Sequence, residues 1–376
     1  MNSIRLLFCV ETIASGGVEQ TRLMICKYLI HRGFQIKITC TYAGGPIADS
    51  FQKLGVELIQ VGAMKGPFDI DVHRKVQNLI KSFRPHIIHG GVFEGNSVTA
   101  ISGFLKNVPI RIIEETSDPQ NRSTKANWLL KIYSKMSDKV VAISPKVYEY
   151  LSLEAKIKPK EKIVLINNAV QAIQRSASNE IARLKLKFGI GDGNLVIGFV
   201  GRLNNDHKRI SDLLSALPLL KSNRIKLLIV GNGVDMQMIK ERVDELKLSN
   251  QVIFAGYQFN TSIFYQIMDI ACFPSAREGF GLVAAEAMMH HLPVVATKVG
   301  GLQNVVVDGE TGFLVPPYNP QSLADKLQHL IDHPDLRTQF GHAGYERAKK
   351  HYSAERYVKE VEDLYLGLLK EKGITP

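Results

Sequence analysis

The sequence predicts an α/β protein built as two doubly wound, Rossmann-like domains in tandem, facing each other across a cleft. Three observations predict it. Short β-branched runs alternate with amphipathic stretches along the whole chain, as the strands and crossovers of a parallel sheet do. The alternation pauses in a polar stretch at 171–180 and then restarts. A length of 376 residues is more than one core of ordinary size holds and fits two.

The first series of strands is expected at 4–10, 35–41, 56–61, 87–89, 110–113, 140–143 and 163–166, each run about as long as a buried parallel strand. The second is expected at 195–200, 226–230, 252–255, 270–273, 293–296 and 312–315. Domains of 1–175 and 190–352 follow, with a linker between them. Apolar residues Tyr357, Val361, Leu364, Tyr365, Leu368 and Leu369 recur at helical spacing, so the chain ends in a helix over 353–370. No repeat of 20 to 50 residues is visible, which excludes a solenoid.

Composition narrows the class. With 45% hydrophobic and 22% charged residues the chain has the makings of ordinary packed domains rather than a disordered or fibrous segment. Arg5, Glu11, Glu19, Arg22 and Lys27 interrupt every apolar run near the start, so neither a secretion signal nor a membrane span is expected. Cys9, Cys26, Cys40 and Cys272 lack any C-x-x-C pairing and read as buried thiols of a cytoplasmic protein. The net charge of +11 is uneven: residues 1–170 carry 23 Lys and Arg against 14 Asp and Glu, and the remainder 24 against 22. A basic first half suits an anionic partner, a phosphorylated ligand or a membrane surface. Nucleic acid is not expected, because the cations are dispersed and no reading module is present.

Several turns carry chemistry. Ser15-Gly16-Gly17-Val18-Glu19 joins the first strand to a helix, either as a tight turn or as a place where backbone amides approach an anion. Gly231-Asn232-Gly233 opens a dinucleotide fingerprint but has Met236 where the third glycine belongs, so a tight turn is the better reading and a dehydrogenase is poorly supported. The stretch from Phe273 to Ala287 leads a glycine-rich loop into a helix near Leu282, so the amides of Phe280, Gly281 and Leu282 are candidates to meet an anion or sugar hydroxyls. Glu278 and Glu286 stand eight residues apart in this apolar run, where carboxylates are costly unless they bind a ligand, a cation or a cap. Upstream, Arg202 and Lys208 are placed to converge on a diphosphate, the first as a planar fork and the second as a point charge. Asp69-Ile70-Asp71 is read as a helix start, not a metal site, and no His, Cys, Asp and Glu cluster has metal-ligand spacing.

These residues together resemble the retaining glycosyltransferases of family 4. The resemblance rests on Glu278 to Glu286, Gly201-Arg202-Leu203 with Lys208, Gly16-Gly17, Val299-Gly300-Gly301 and the run from Asp308 to Val315. It covers nearly the whole chain and is most specific in the second half. It implies a GT-B fold, with the last helix, 353–376, returning to pack on the first domain. It implies Arg202 and Lys208 on the diphosphate of a nucleotide-sugar donor, approached by Gly16 and Gly17, with Glu278 on the transferred sugar and Glu286 on the ribose. Phe280, Gly281 and Leu282 would offer backbone groups to sugar and phosphate, and Tyr257 a wall of the base pocket. It implies same-face attack with no enzyme nucleophile, no cofactor and no metal, and a lipid-linked or oligosaccharide acceptor in cell-surface polysaccharide or glycoconjugate synthesis.

One departure concerns the donor sugar. Many members carry a His after the strand at 110–113, where this chain has Glu114-Glu115-Thr116-Ser117-Asp118. Glu115 or a neighbour takes that contact, or the loop selects another sugar, and His89 is a further candidate contact. The rival readings are a non-catalytic nucleotide-sugar binding protein and a GT-B isomerase or phosphorylase. Residues 122–139 mix Trp128 and aliphatic residues with Arg122, Lys125, Lys131, Lys135 and Lys139: a basic helix at an anionic lipid surface, or a core-facing helix with a solvated basic rim. The location expected is cytoplasmic, or peripheral on the cytoplasmic face of a membrane.

Overall fold

The computed structural model describes residues 3–374 apart from 15, 117–121 and 223. The chain divides into two units, the first made of 1–169 with 354–376 and the second of 170–353.

Unit 1 carries β1 (Ile4–Cys9), the two-residue β2 (Thr12–Ile13), β3 (Phe34–Cys40), β4 (Tyr42–Ala43), β5 (Glu57–Gln60), β6 (Ile87–Gly90), β7 (Ile110–Glu115), β8 (Lys139–Ala142) and β9 (Ile163–Leu165). Seven of them form a parallel sheet in the order β5-β3-β1-β6-β7-β8-β9, and β2 pairs with β4 beside it. The central strand β1 sets Leu6 against Ile36 on one side and Ile87 on the other. Leu6, Leu7 and Phe8 are all fully buried, as a strand covered on both faces requires.

The helix Ala354–Glu371 packs in this unit against the helix Gly17–Leu29. Its Tyr357, Val358, Val361, Tyr365, Leu368 and Leu369 join one buried cluster with Leu6, Leu23 and Ile36. Burying an aliphatic or aromatic side chain of this size contributes roughly 1.5 to 3 kcal/mol, so this face alone is a large share of the core. Arg32 and Glu362 add an ion pair at 2.9 Å at its rim.

Unit 2 carries β10 (Leu195–Val200), β11 (Ile225–Val230), β12 (Val252–Gly256), β13 (Ile270–Phe273), β14 (Val294–Thr297) and β15 (Gly312–Val315). They form a parallel sheet in the order β12-β11-β10-β13-β14-β15, with Ile197 opposite Leu227 and Ile270. The order reverses at β10, the place where a doubly wound sheet opens its crevice. The ends of this unit meet: the Val170 amide donates to the Tyr352 carbonyl at 2.9 Å.

One segment of the fold differs from the sequence reading. The stretch taken as a linker holds a helix, Ser178–Lys187, whose Glu180 carboxylate accepts from the Ala177 amide at 3.2 Å. None of its residues is buried, so its apolar signal, Ile181 and Leu184 one turn apart, is too thin to stand out from a polar segment. Asp69 begins the helix Ile70–Phe83 by accepting from the amides of Asp71 and Val72, and the three backbone donors around it, Lys65 foremost, hold its carboxyl below the usual range.

Candidate active site

The frame of the site is a pair of interlocked loops at the carboxyl ends of β10 and β11. The Gly201 amide donates to the Val230 carbonyl, Leu203 to Asn232, and Asp235 back to Leu203, all within 3.1 Å. Asn205 completes the lock by donating its amide to the Asp235 carboxylate at 2.7 Å. A Cβ on Gly231 would sit 1.9 Å from the Gly201 carbonyl oxygen, and its φ of 144° lies where side chains are strained. The Gly231-Asn232-Gly233 turn is therefore a packing device. Leu203 is fully buried while Arg202 beside it is exposed, and among the described residues its guanidinium has no partner.

Two ion pairs clasp this loop to the one after β13. Lys208 meets Glu278, Arg277 meets Asp206, and between them the Ala276 amide donates to the His207 carbonyl at 2.8 Å. The Glu278 carbonyl accepts from the Gly301 amide at 2.7 Å, so the Val299-Gly300-Gly301 turn props the loop from behind. Phe280 is buried with its ring edge-on to Tyr352 at 5.3 Å, which anchors the loop's tip. Gly281 takes φ +97°, a conformation only glycine adopts freely, and opens the helix Leu282–Met289. The first-turn amides of that helix have no intrahelical acceptor and carry the positive end of its dipole.

Glu286 lies one turn into this helix, and its carboxyl is held from one side. The Tyr265 hydroxyl donates to Oε2 at 2.8 Å. The Tyr265 ring stacks on His290 at 4.9 Å, and His290 in turn bonds the Glu286 carbonyl and the Ser262 hydroxyl, each at 2.8 Å. Because a carbonyl only accepts, Nδ1 of His290 carries the hydrogen on that side. Oε1 of Glu286 has no partner among the described residues. Burial pushes the carboxyl's pKa up to about 7, with the Tyr265 hydrogen bond opposing. The carboxylate is thus a poised acceptor with one oxygen committed and one open. Tyr257, past the end of β12, is about half exposed at 51%.

Unit 1 holds the remaining candidates. Gly16 is the N-cap of the helix Gly17–Leu29 and its carbonyl accepts from the Gln20 amide, while Ser15 lies outside the described residues. His89 and Glu115 are corrections. His89 is 1% exposed and bonded through Nδ1 to the Tyr365 hydroxyl at 2.6 Å, with Nε2 3.5 Å from Glu114. Burial first and the Arg22 charge second push its pKa down to about 4, so it is neutral, accepts a hydrogen bond from the Tyr365 hydroxyl at Nδ1 and turns Nε2 toward Glu114. Glu115 is buried against Arg122 at 2.5 Å. Neither side chain is presented to a substrate. Ser117 and Asp118 of the same loop lie outside the described residues.

The sequence reading missed the cluster to which His89 belongs. Arg22, fully buried in the helix Gly17–Leu29, pairs with Glu114 at 3.1 Å and lies 5.0 Å over the Phe8 ring. Burial alone would raise the Glu114 carboxyl, but the Arg22 charge and the His89 contact outweigh it and hold the group below its usual range. Asn96 fixes the Glu114 backbone by bonding both its amide and its carbonyl. Arg22 and Glu114 stand 92 residues apart, each with other charges close by in the sequence, so nothing local marks them as a buried pair. Among the described residues no group of three His, Cys, Asp or Glu side chains is arranged to hold a metal ion.

Comparison with known proteins decides the family. Residues 15–172 match the model of "Glycosyltransferase Family 4", and residues 180–347 that of "Glycosyl transferases group 1". The chain belongs to the group 1 glycosyltransferases. This glycosyltransferase is 28% identical over 322 residues to the capsular polysaccharide biosynthesis glycosyltransferase CapM of Staphylococcus aureus, covering 81% of this chain and 84% of that one. It is 26% identical to the N-acetyl-alpha-D-glucosaminyl L-malate synthase of Bacillus anthracis over 65% of this chain and 64% of the relative. Among solved structures, a glycosyltransferase from Rickettsia africae ESF-5 superposes with a TM-score of 0.86 at 24% identity, covering 98% of this chain and all of that one. Anabaena Alr3699/HepE, solved with UDP and glucose, superposes with a TM-score of 0.85 at 20% identity, covering 97% of this chain and all of that one. The glycosyltransferase therefore has the GT-B fold and transfers sugar.

Proposed function

We propose that this glycosyltransferase moves a sugar, with retention of anomeric configuration, from a nucleoside-diphosphate sugar to a glycan or lipid-linked acceptor in the building of cell-surface polysaccharide or glycoconjugate. The observation that carries it is the clasped loop pair of unit 2, which puts Arg202, Lys208 and Glu278 on one rigid frame beside a helix N-terminus. Breaking a glycosyl-phosphate bond builds negative charge on the leaving diphosphate and positive charge on the sugar. Fixed cations and amides aimed at the phosphate lower that barrier most. In this reading Arg202 binds the diphosphate as found. Lys208 exchanges Glu278 for a phosphate oxygen, which frees Glu278 to accept from sugar hydroxyls. The amides from Phe280 to Leu282, leading into the helix, take phosphate and sugar oxygens, the open oxygen of Glu286 accepts the ribose hydroxyls, and Tyr257 flanks the base. Gly16 and Gly17 offer backbone amides to the diphosphate. The acceptor hydroxyl attacks the face the diphosphate leaves, and the departing phosphate takes its proton, so the chain supplies no nucleophile and no metal. The name of CapM and the UDP in HepE support the polymer and the donor class. The enzyme would work at the cytoplasmic face of the membrane.

The experiment is a panel of UDP-, GDP-, ADP- and CMP-sugars, scored by thermal shift and by release of free nucleotide. One nucleotide class should raise the melting temperature and be slowly hydrolysed. Absence of binding by every donor would overturn the assignment of the site.

A further inference from the structure

We propose that the helix Thr124–Met136 is a lipid-docking element, lying flat on an anionic bilayer with Trp128 in the interface and Lys125, Lys131 and Lys135 against the headgroups. This deepens the reading of a membrane-borne acceptor and names the surface that meets the membrane. Leu129, Leu130, Tyr133 and Ser134 form the buried face of the helix, and the Tyr133 hydroxyl bonds Ser97 at 3.1 Å on the inner side. At about 100° per residue, Lys125, Trp128, Lys131 and Lys135 fall within an arc of roughly 120° on the opposite face. All four are exposed, Trp128 at 58%.

Three features of that face select its partner. The helix contains no Asp or Glu, and none of the three ammonium groups has an acidic partner among the described residues. Lys162 caps the far end by donating to the Ser134 and Ser137 carbonyls, so the outer lysines are not needed there. A large indole stands among the cations with its ring in water, where a bilayer interface would take it up and a merely solvated face gains nothing from it. No described helix is long and apolar enough to cross a membrane, and the apolar face of this one is committed to the unit 1 core, so what it offers the headgroups is its basic outer face with Trp128. The Arg122–Glu115 pair ties the start of this helix to the end of β7, at the carboxyl edge of the unit 1 sheet where parallel sheets bind their ligands. Docking would therefore bring that edge to headgroup level, where a lipid-linked acceptor presents its sugar.

Trp128 is the one tryptophan of the chain, so its emission reports on this helix alone. The full-length protein is titrated with neutral phosphatidylcholine vesicles and with vesicles containing a quarter phosphatidylglycerol. The anionic vesicles should blue-shift the emission, spin-labelled lipid should quench it, and raised salt should reverse both. The triple variant Lys125→Glu, Lys131→Glu, Lys135→Glu should lose on the order of 100-fold in vesicle affinity, about fivefold or more for each lysine, while keeping its melting temperature and donor hydrolysis. An unshifted emission with anionic vesicles, or full vesicle binding by the triple variant, would overturn the proposal. So would a shift produced by a DNA duplex and not by vesicles, which assigns the face to another polyanion. Vesicle binding with no nucleotide sugar bound would leave this inference standing and sink the donor assignment; donor turnover without vesicle binding would do the reverse.

Discussion

At the carboxyl ends of both sheets stand charged residues, and the two units treat them in opposite ways. In unit 1, Arg22, Glu114 and His89 are sealed under 3% exposure, with Arg22 bonded to Glu114 and His89 to Tyr365, while Nε and Nη2 of Arg22 and Nε2 of His89 are buried without a hydrogen-bond partner among the described residues. In unit 2, among the described residues, Arg202 is exposed without a partner, Lys208 and Glu278 share a partly exposed pair, and Glu286 keeps one oxygen open. A charge at a sheet edge is therefore not by itself a ligand site. The difference lies in access: the unit 1 groups are sealed from solvent whatever bonds they leave unmade, whereas the unit 2 groups can be reached.

The largest effect should come from unit 1. Replacing Arg22 with Met leaves the Glu114 carboxylate buried beside an apolar side chain, and breaking such a pair costs about 3 to 5 kcal/mol. Urea unfolding should show that loss while nucleotide affinity under native conditions stays as it was. A cost below about 1 kcal/mol would mean the cluster is not the sealed structural pair described, and the contrast between the units would fail.

The next effect belongs to unit 2 and runs the other way. Arg202→Ala and Lys208→Ala should each lower sugar transfer on the order of 10²-fold or more, with stability changes of only about 0.5 kcal/mol because the groups are surface-exposed or partly so. Steady-state transfer rates beside melting curves would check both halves. Near-normal turnover would remove the diphosphate assignment.

The smallest effect sharpens the contrast through pH. In the proposed role Glu286 would accept ribose hydroxyls best as a carboxylate, and burial holds its pKa at about 7. Nucleotide affinity should rise from pH 6 to pH 8, by at most about tenfold per unit below the pKa, and Glu286→Gln should flatten the profile. Stability carries the opposite sign: a carboxyl whose pKa is raised on folding favours the folded state at low pH, and that contribution disappears as pH rises from about 4.5 to about 7. Glu286→Gln should thus bind nucleotide less well at pH 8 and yet melt higher there than the parent. Titration calorimetry across pH with matched melts would test the pair, and a flat parent profile would take Glu286 out of the ribose site.

Much of the fold was legible because parallel strands buried on both faces announce themselves as continuous β-branched runs. Among the described residues, all thirteen strands longer than two residues lie within a residue or two of their sequence readings. The loops of unit 2 were legible too, since close backbone approach needs glycine and glycine is visible in a sequence. The supports of those loops were not. Tyr265 and His290 brace Glu286 from another element and from the helix end, and nothing in their local pattern separates them from ordinary core residues. His89 and Glu115 were misread for the same reason: whether a polar side chain at a strand end is capped off depends on partners up to 276 residues away, such as Tyr365.

Unit 1 is interrupted by unit 2, and this has a consequence for how the molecule is made. The residues that roof the Arg22 cluster, Tyr357 and Tyr365, are translated only after all 184 residues of 170–353. Unit 2 can close as soon as Tyr352 meets Val170, because its two ends lie side by side. During synthesis unit 2 should therefore mature first, while unit 1 waits, its largest buried cation uncovered, for the helix Ala354–Glu371 to arrive.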